Sequence, residues 1–269
     1  MAWKEFFIYT FNGLPLATGT ANANPSALSF PEVTQRIDSD SDFEVIRRVH
    51  KAGDTGTADD RVYIKLMDTN AGRYIIRDAT PLAAISGTAF TTGMATGTRG
   101  FASYVLPRPY QAAAASSLVV QWADFSGTSR NVRLSLQGNK VRQGTAPWEA
   151  KKYAAQIPMT YTLNIESLAA NNSTTAVVPI DVDSDFMVQK ITGTYTGAAS
   201  LIIADGGRER WWMDKAVYID TIVGNGQFPF ILTSPRFIYR GSQISVSLSD
   251  LSGATNTIRI VFEGVKMYG

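Results

Sequence analysis

Two short acidic strings carry the side chains in this sequence that are best suited to binding chemistry. Each string places three aspartates at alternate positions, namely Asp38, Asp40 and Asp42 in the first and Asp181, Asp183 and Asp185 in the second. In a loop, carboxylates with this spacing suit Ca²⁺, which takes six to eight oxygen ligands. The EF-hand pattern is incomplete, because Phe43 and Phe186 stand where that loop needs glycine. The strings therefore predict either a divalent-cation site, with Ca²⁺ as the expected ion and the one cofactor, or solvated acidic bends that accept bonds from backbone N–H groups.

A second cluster combines charge and aromatic rings over residues 208–212, which read Arg-Glu-Arg-Trp-Trp. Exposed tryptophan beside arginine suits a protein interface or a sugar platform. Trp211 aligns with Tyr74 in an internal repeat described below, so packing in a core or between domains is favoured over a site. His50 is expected to be a strand residue. Residues 1–4 either touch a membrane surface through Trp3 or pack as an ordinary terminus.

Composition excludes several kinds of site. The chain has no cysteine and one histidine, which excludes thiolate metal sites, cysteine nucleophiles and multi-histidine metal centres. We therefore expect no enzyme, although a glycosidase with two carboxylates stays open because aspartate is plentiful. The net charge is +2 with no arginine-rich arm, so direct nucleic-acid binding is not expected. Hydrophobic content of 45% and charged content of 18% are typical of a globular protein.

The acidic string belongs to a longer internal repeat. The second string follows the first at an offset of 143 residues, residues 66–85 align with 203–222, and residues 105–141 align without a gap with 231–267. The last block includes the pair Lys140 and Lys266. Because the blocks keep their order while the offset shrinks, the pattern predicts one fold used twice in tandem, with shorter loops in the second copy.

The elements that must position the strings are strands. Strict alternation of apolar and polar residues at 118–122 and 132–136 returns at 244–248 and 258–262, which indicates sheets with one buried face. Residues 61–66 and 73–77 are expected to form a hairpin, and the strand at 101–106 is expected to end at Pro107. About eight short strands per copy predict an all-β protein made of two tandem eight-stranded jelly-roll barrels.

The domain boundaries follow from the repeat. We expect a first jelly roll at 1–142, a linker at 143–156 and a second jelly roll at 157–269. Thr145 as a cap and Pro147 in a first turn predict a short helix within the linker. Trp148 is expected to pack on a barrel.

The sequence resembles a known family, the double jelly-roll major capsid proteins of tailless icosahedral viruses with an internal membrane, and the corticovirus type above all. The resemblance covers the whole chain: two copies, each with the Asp-Ser-Asp-Phe string and an Asp-x-Ser-Gly hairpin, joined by a short linker. It implies a virion protein made in the host cytoplasm, and homotrimers whose six barrels form a pseudo-hexagonal tile. The implied partners are neighbouring trimers, vertex and membrane proteins and the surface of the viral membrane. Loops at 12–33 and 86–100 would carry any outward tower.

The main alternative is a binding protein. Tandem jelly rolls also occur as carbohydrate-binding domains and as spike or receptor-binding modules. Exposed aromatic residues near paired carboxylates would favour that function over a shell protein.

Overall fold

The structure is a computed structural model that describes residues 2–13, 31–52, 62–88, 104–124, 132–146, 148–149, 151–206 and 210–269. The described residues of the first half form nine strands: β1 (Ala2–Gly13), β2 (Glu32–Arg36), β3 (Asp42–Ala52), β4 (Val62–Asp68), β5 (Arg73–Pro81), β6 (Gly87–Thr88), β7 (Tyr104–Ala112), β8 (Ser117–Asp124) and β9 (Val132–Gln143). One helical turn, α1 (Leu82–Ile85), follows β5. The towers expected at 12–33 and 86–100 lie largely outside the described residues.

The second half repeats this arrangement. Its strands are β10 (Ala155–Leu168), β11 (Ser173–Pro179), β12 (Asp185–Tyr195), β13 (Ala199–Asp205), β14 (Arg210–Trp211), β15 (Val217–Tyr218), β16 (Phe230–Ile238), β17 (Gln243–Asp250) and β18 (Asn256–Tyr268). A 3₁₀ turn at Ile219–Thr221 follows β15.

Strand order identifies each half as a jelly roll. The first half pairs β1-β9-β3-β7 in one sheet and β2-β8-β4-β5 in the other. The second half pairs β10-β18-β12-β16 and β11-β17-β13-β14, which is the same order strand for strand. The short strands β6 and β15 add to β3 and β13. Two facing sheets of four antiparallel strands in this order form a jelly roll, so the predicted pair of tandem barrels is confirmed.

The repeat extends to a defect in the sheets. The ladder between β3 and β9 shifts register between Val45 and Arg47, and the ladder between β12 and β18 shifts between Val188 and Lys190. Glycine stands opposite both bulges. A Cβ atom on Gly138 would lie 1.8 Å from the carbonyl oxygen of Glu44, and one on Gly264 would lie 2.0 Å from that of Met187. Because no side chain fits there, the two glycines let the bulged strand approach its neighbour closely.

Strand β1 contributes to both hydrophobic cores. Phe7, Tyr9 and Phe11 point into the first barrel, whereas Phe6 and Ile8 are fully buried in the core of the second. The apolar run within β1 is continuous because both faces of the strand are covered.

The predicted linker helix is not confirmed. In its described residues, Glu149 N donates to Ala146 O and Lys151 N donates to Trp148 O, so the chain makes two consecutive turns. Pro147 lies outside the described residues. Trp148 stacks on Phe237 at 5.4 Å between ring centroids and packs edge-on against Trp3. Packing of this tryptophan between the two barrels fixes the course of the linker.

The prediction that a strand ends at Pro107 is wrong, because β7 continues to Ala112. Proline is tolerated since β7 is an edge strand whose pairing with β3 jumps from Tyr110 to Val105 and leaves 106–109 without ladder partners. Among the described residues, no helix is long and apolar enough to cross a membrane.

Candidate functional site

The first acidic string is paired with cations on β9. Lys140 Nζ donates to Asp38 Oδ2, and Asp40 lies 2.8 Å from Arg142 Nη1. Burial raises the pKa of Asp40, but the charges of Lys140 and Arg142 and the hydroxyl of Ser41 outweigh it and hold that pKa below its usual value. The first two carboxylates of the string therefore face two basic side chains.

The second string repeats this arrangement on β18. Lys266 Nζ lies 2.6 Å from Asp181 Oδ2 and 3.1 Å from Asp183 Oδ1. Hydrogen bonds from Lys266 and then Tyr161 lower the pKa of Asp181, and those from Ser184 and then Lys266 lower the pKa of Asp183. The hydrogen bond to Asp181 is the main cause that raises the pKa of Lys266.

The two lysines hold equivalent positions in the sheets. Lys140 is the register partner of Phe43, and Lys266 is the register partner of Phe186. Tyrosine completes each unit: Tyr9 packs edge-on against Phe43 at 4.7 Å, and Tyr161 packs against Phe186 at 4.8 Å. Their hydroxyl groups meet the first aspartate of each string, at 2.9 Å from Asp38 N and 3.0 Å from Asp181 Oδ2. Aspartate, lysine, tyrosine and phenylalanine thus form one structural unit that occurs twice.

The third aspartate of each string points elsewhere. Asp42 Oδ1 accepts from Ala114 N at 2.8 Å, and Asp185 Oδ1 accepts from Arg240 N at 2.9 Å. Both donors lie in the turn that follows β7 or β16. Asp185 is fully buried and also accepts from Lys151 Nζ at 2.7 Å. These aspartates therefore cap a turn through backbone N–H groups, as the acidic-bend alternative predicts.

This geometry separates the proposed calcium ligands. Among the residues that the structure describes, no group of three histidine, cysteine, aspartate or glutamate side chains is arranged to hold a metal ion. In the second string, the ammonium group of Lys266 already lies between Asp181 and Asp183, where a cation would bind. Calcium binding stays a prediction, and the side chains present supply a positive charge of their own.

A polar cleft of about 560 Å³ opens between the barrels beside the first string. Its charged walls are formed by Glu5, Asp38, Asp40, Lys140 and Arg142 of the first barrel and by Arg210 and Asp214 of the second. Trp211 stands at its rim and is 50% exposed. The cleft offers both signs of charge and one aromatic face.

A buried ion cluster closes the base of the junction. Glu5 is almost fully buried and accepts charge-assisted bonds from Arg210 Nη2 at 2.6 Å and from Arg236 Nη1 at 2.9 Å. Arg236 also donates to the carbonyl oxygen of Phe6 at 3.2 Å. Burial lowers the pKa of Arg236 to about 10, against the opposing charge of Glu5. The cluster joins the two barrels inside the protein.

Residues 212–214 extend this junction along β1. Ile8 N donates to Trp212 O at 3.0 Å, and Asp214 N donates to Ile8 O at 3.0 Å. Thr10 N then donates to Asp214 Oδ1 at 2.8 Å. Burial raises the pKa of Asp214 to about 6, against the charge of nearby Lys215. The second barrel thus lays a short parallel segment against the first strand of the chain.

A further seam joins β16 to the bulge of the first barrel. Arg47 Nη2 donates to Ile231 O at 2.6 Å, and the guanidinium of Arg47 lies 4.6 Å from the ring centroid of Phe230. Thr233 Oγ1 lies 2.7 Å from Asn139 Oδ1, and Gln137 Nε2 donates to Thr221 O at 3.1 Å.

The remaining candidates from the sequence are structural. Trp212 is fully buried in the second core, but the packing expected for Trp211 is wrong, because that ring is 50% exposed at the rim of the cleft. Arg208 and Glu209 lie outside the described residues. His50 is a buried residue of β3, and burial lowers its pKa to about 4. Trp3 packs on Trp148, which favours the packed terminus over membrane contact.

Sequence reasoning missed the basic partners. Lys140 and Lys266 recur in the aligned blocks, and their joint recurrence with the aspartates was the available signal. No such signal pointed to Glu5 and Arg236, because neither residue has a charged counterpart in the other copy.

No protein-family model and no curated protein matches the chain. Among solved structures, the major capsid protein P2 of bacteriophage PM2 is 12% identical, with 99% of this chain and 98% of that chain covered at a TM-score of 0.25. An archaeal virus protein with a triple jelly-roll fold is 11% identical over 88% of this chain, at a TM-score of 0.25. The chain spans 56% of the length of that viral protein. The glycosylasparaginase PNGase F of Flavobacterium meningosepticum is 11% identical, with 95% and 96% covered and a TM-score of 0.20.

Proposed function

We propose that the chain is the major capsid subunit of an icosahedral virus with an internal membrane. In this function it forms homotrimers, and the six barrels of each trimer make a pseudo-hexagonal tile of the shell. The observation that carries the proposal is the duplication itself: one chain supplies two barrels with the same strand order, the same bulges and the same acidic unit. Three such chains supply six similar barrels, which is what a hexagonal tile needs.

The rigid junction between the barrels supports this function. A tile must keep a fixed angle between its barrels if it is to meet its neighbours in a closed shell. Here Glu5, Arg210 and Arg236 join the barrels in a buried cluster, and Phe6 and Ile8 of the first barrel lie in the core of the second. Relative domain motion is the default for small polar interfaces, whereas a buried apolar interface suppresses it.

The other partners belong to the same proposal. Neighbouring trimers, vertex proteins, membrane proteins and the surface of the viral membrane would complete the virion, and synthesis would take place in the host cytoplasm. The net charge of +2 suits a shell that a membrane separates from the nucleic acid.

Mass measurement in solution tests the proposal. We expect the purified protein at micromolar concentration to have about three times its chain mass of 29.2 kDa, by sedimentation equilibrium and by light scattering after gel filtration. Averaged negative-stain images should show tiles with a hexagonal outline. A monomer at every concentration, with and without Ca²⁺, would contradict the proposal.

A carbohydrate-binding or spike module is the second candidate. The observation in its favour is the cleft between the barrels, where the half-exposed ring of Trp211 stands beside Arg210 and Asp214. Sugar rings stack on such aromatic faces while polar groups bind their hydroxyls. Binding on a glycan array that Trp211→Ala abolishes, in a protein that stays monomeric, would favour this function over the shell.

A further inference from the structure

The two barrels contribute different chemistry to the cleft between them. The first barrel brings the carboxylates of Asp38 and Asp40, whose side chains are 49% and 47% exposed. The second barrel brings the apolar side chains of Ile202 and Trp211, and Trp211 is 50% exposed. A ligand of the cleft therefore meets carboxylate oxygens from one barrel and an indole ring from the other.

The charge that a ligand can reach in the cleft is mainly negative. Lys140 and Arg142 pair with the two carboxylates, but their side chains are only 9% and 25% exposed and thus lie deeper than their partners. A third cation of the lining, Arg210, is bound to the buried carboxylate of Glu5 at 2.6 Å. The described part of the lining holds four acidic residues against three basic ones. The cleft therefore favours a cation.

The indole ring narrows the class of cation. Among aromatic rings, that of tryptophan attracts cations most strongly. A guanidinium group stacks flat on such a ring and donates two parallel hydrogen bonds to a carboxylate, whereas the compact ammonium group of lysine lacks this planar shape. A neutral sugar also stacks on indole, but its hydroxyl groups bring no charge to offset the exposed carboxylates of Asp38 and Asp40. The combination of these carboxylates with Trp211 thus suits a guanidinium group.

The internal repeat shows that exposure alone does not build this arrangement. Tyr74 is the counterpart of Trp211 in the first barrel and is 47% exposed. The side chains of Asp181 and Asp183, in the second acidic string, are 52% exposed. None of these three residues lines the cleft. Exposed carboxylates and an exposed ring therefore occur in both barrels, and the cleft brings the string of the first together with the ring of the second.

We propose that the cleft binds a guanidinium group carried on an apolar stem. The stem packs on Trp211 and Ile202, and the guanidinium group donates to Asp38 or Asp40. Such a group comes from an arginine side chain of another protein or from a free alkylguanidine. The inference goes beyond the proposed function, because the site lies within one chain and needs no trimer.

Isothermal titration calorimetry with n-butylguanidine at low ionic strength tests the site. The matched neutral probe is n-butylurea, which keeps the stem and the planar head and removes the charge. A capped glycine-arginine-glycine peptide distinguishes the sources: binding as tight as that of n-butylguanidine assigns the site to a protein's arginine, and failure of the peptide alone assigns it to a free alkylguanidine. Fluorotryptophan labelling locates the site. Of the five tryptophan resonances, the one that is missing in Trp211→Ala should shift on binding.

We expect n-butylguanidine to bind and n-butylurea not to bind. Trp211→Ala should weaken binding about tenfold, and Asp40→Asn should weaken it about fivefold. The matched controls are Tyr74→Ala and Asp183→Asn, which change the equivalent residues outside the cleft and should bind as the wild type does. Melting temperatures check that all four variants are folded.

Two results would overturn the inference: equal binding of the neutral probe, or equal weakening in the two matched controls. If no probe binds while the protein sediments as trimers, the cleft site is wrong and the shell function stands. If n-butylguanidine binds a protein that sediments only as a monomer, the shell function is wrong and the cleft site stands.

Discussion

The ammonium group of Lys266 lies 2.6 Å from the carboxylate of Asp181, and the same contact recurs in the first barrel between Lys140 and Asp38. The pair occupies equivalent positions in the two copies of the duplicated fold and has the same structural role in each. Here a lysine on the last strand of each barrel holds the bend that leads into the third strand, its neighbour in the same sheet.

The lysine contact and the calcium prediction differ in how a chelator should change the melting temperature. Since Lys266 already supplies a positive charge to Asp181 and Asp183, we expect the melting temperature to be the same with and without EDTA. Asp183→Asn should leave that insensitivity unchanged. A melting temperature that falls on chelation in the wild type, and no longer falls in Asp183→Asn, would show that the string binds a cation.

Acid should weaken the second string. Because the folded-state pKa values of Asp181 and Asp183 are lowered, their stabilising contribution is present above the unfolded value of about 4 and is lost as pH falls through the lower folded values. We expect the wild-type melting temperature to drop below about pH 4. Lys266→Met should flatten this drop, measured by thermal melts between pH 2 and pH 6. If the melting temperature of that variant falls in acid as steeply as that of the wild type, Lys266 does not stabilise the two carboxylates.

The buried ion cluster should be sensitive to loss of one member. Arg236→Met leaves the almost fully buried Glu5 with less compensation, which costs about 3–5 kcal/mol in comparable buried pairs. Urea unfolding measures the loss. The control is Arg259→Met, which breaks the exposed pair with Glu166 and should cost less than about 1 kcal/mol. Equal losses in the two variants would show that the cluster does not hold the barrels together.

Asp214 should destabilise the protein when it ionises. Its folded pKa of about 6 lies above the unfolded value, so folding takes up a proton between about pH 4 and pH 6 and stability falls as pH rises through that window. Asp214→Asn keeps an acceptor for Thr10 N and removes the charge. We expect the stability of this variant to lose that pH dependence and its free energy of unfolding to rise by on the order of 2 kcal/mol at pH 7. Loss of the contact between Asp214 and Lys215 would reduce this gain. Denaturant unfolding at pH 4 and pH 7 tests whether ionised Asp214 destabilises the protein. A variant that is less stable than the wild type at pH 7 but not at pH 4 would show the opposite.

The bulge glycines should not tolerate a methyl group. In Gly138→Ala, the new Cβ would lie 1.8 Å from the carbonyl oxygen of Glu44, so the strands must separate. We expect a loss of about 3 kcal/mol or more, the upper end for an overpacked site. Gly226→Ala is the matched control, since a Cβ there meets nothing within 4 Å, and its stability should stay close to wild type. Circular dichroism melts compare the two.

The fold was predictable from the sequence for two reasons. The alternation of apolar and polar residues is a local pattern, and the internal repeat can be found by comparing the sequence with itself. The partner of each acidic string was harder to find, since Lys140 lies 102 residues from Asp38 and meets it only through strand register. The cluster of Glu5 and Arg236 has no periodic signal, and its residues come together only when two finished barrels pack. The linker helix stays a prediction, because residues 147 and 150 lie outside the described residues. The contact of Trp148 with Phe237 gave no local signal, since the two residues meet only when the linker packs on the second barrel.

The position of β1 between two cores has a consequence for biosynthesis. This strand is translated before the second barrel, yet Thr10 N bonds to Asp214, 204 residues further along the chain. Until the second barrel has been made, Phe6 and Ile8 have no core to enter. The first barrel therefore exposes these apolar side chains while the rest of the chain is translated. Such surfaces invite aggregation or chaperone binding. Strand β1 is thus made early but fully buried late, and the two barrels should mature together rather than one after the other.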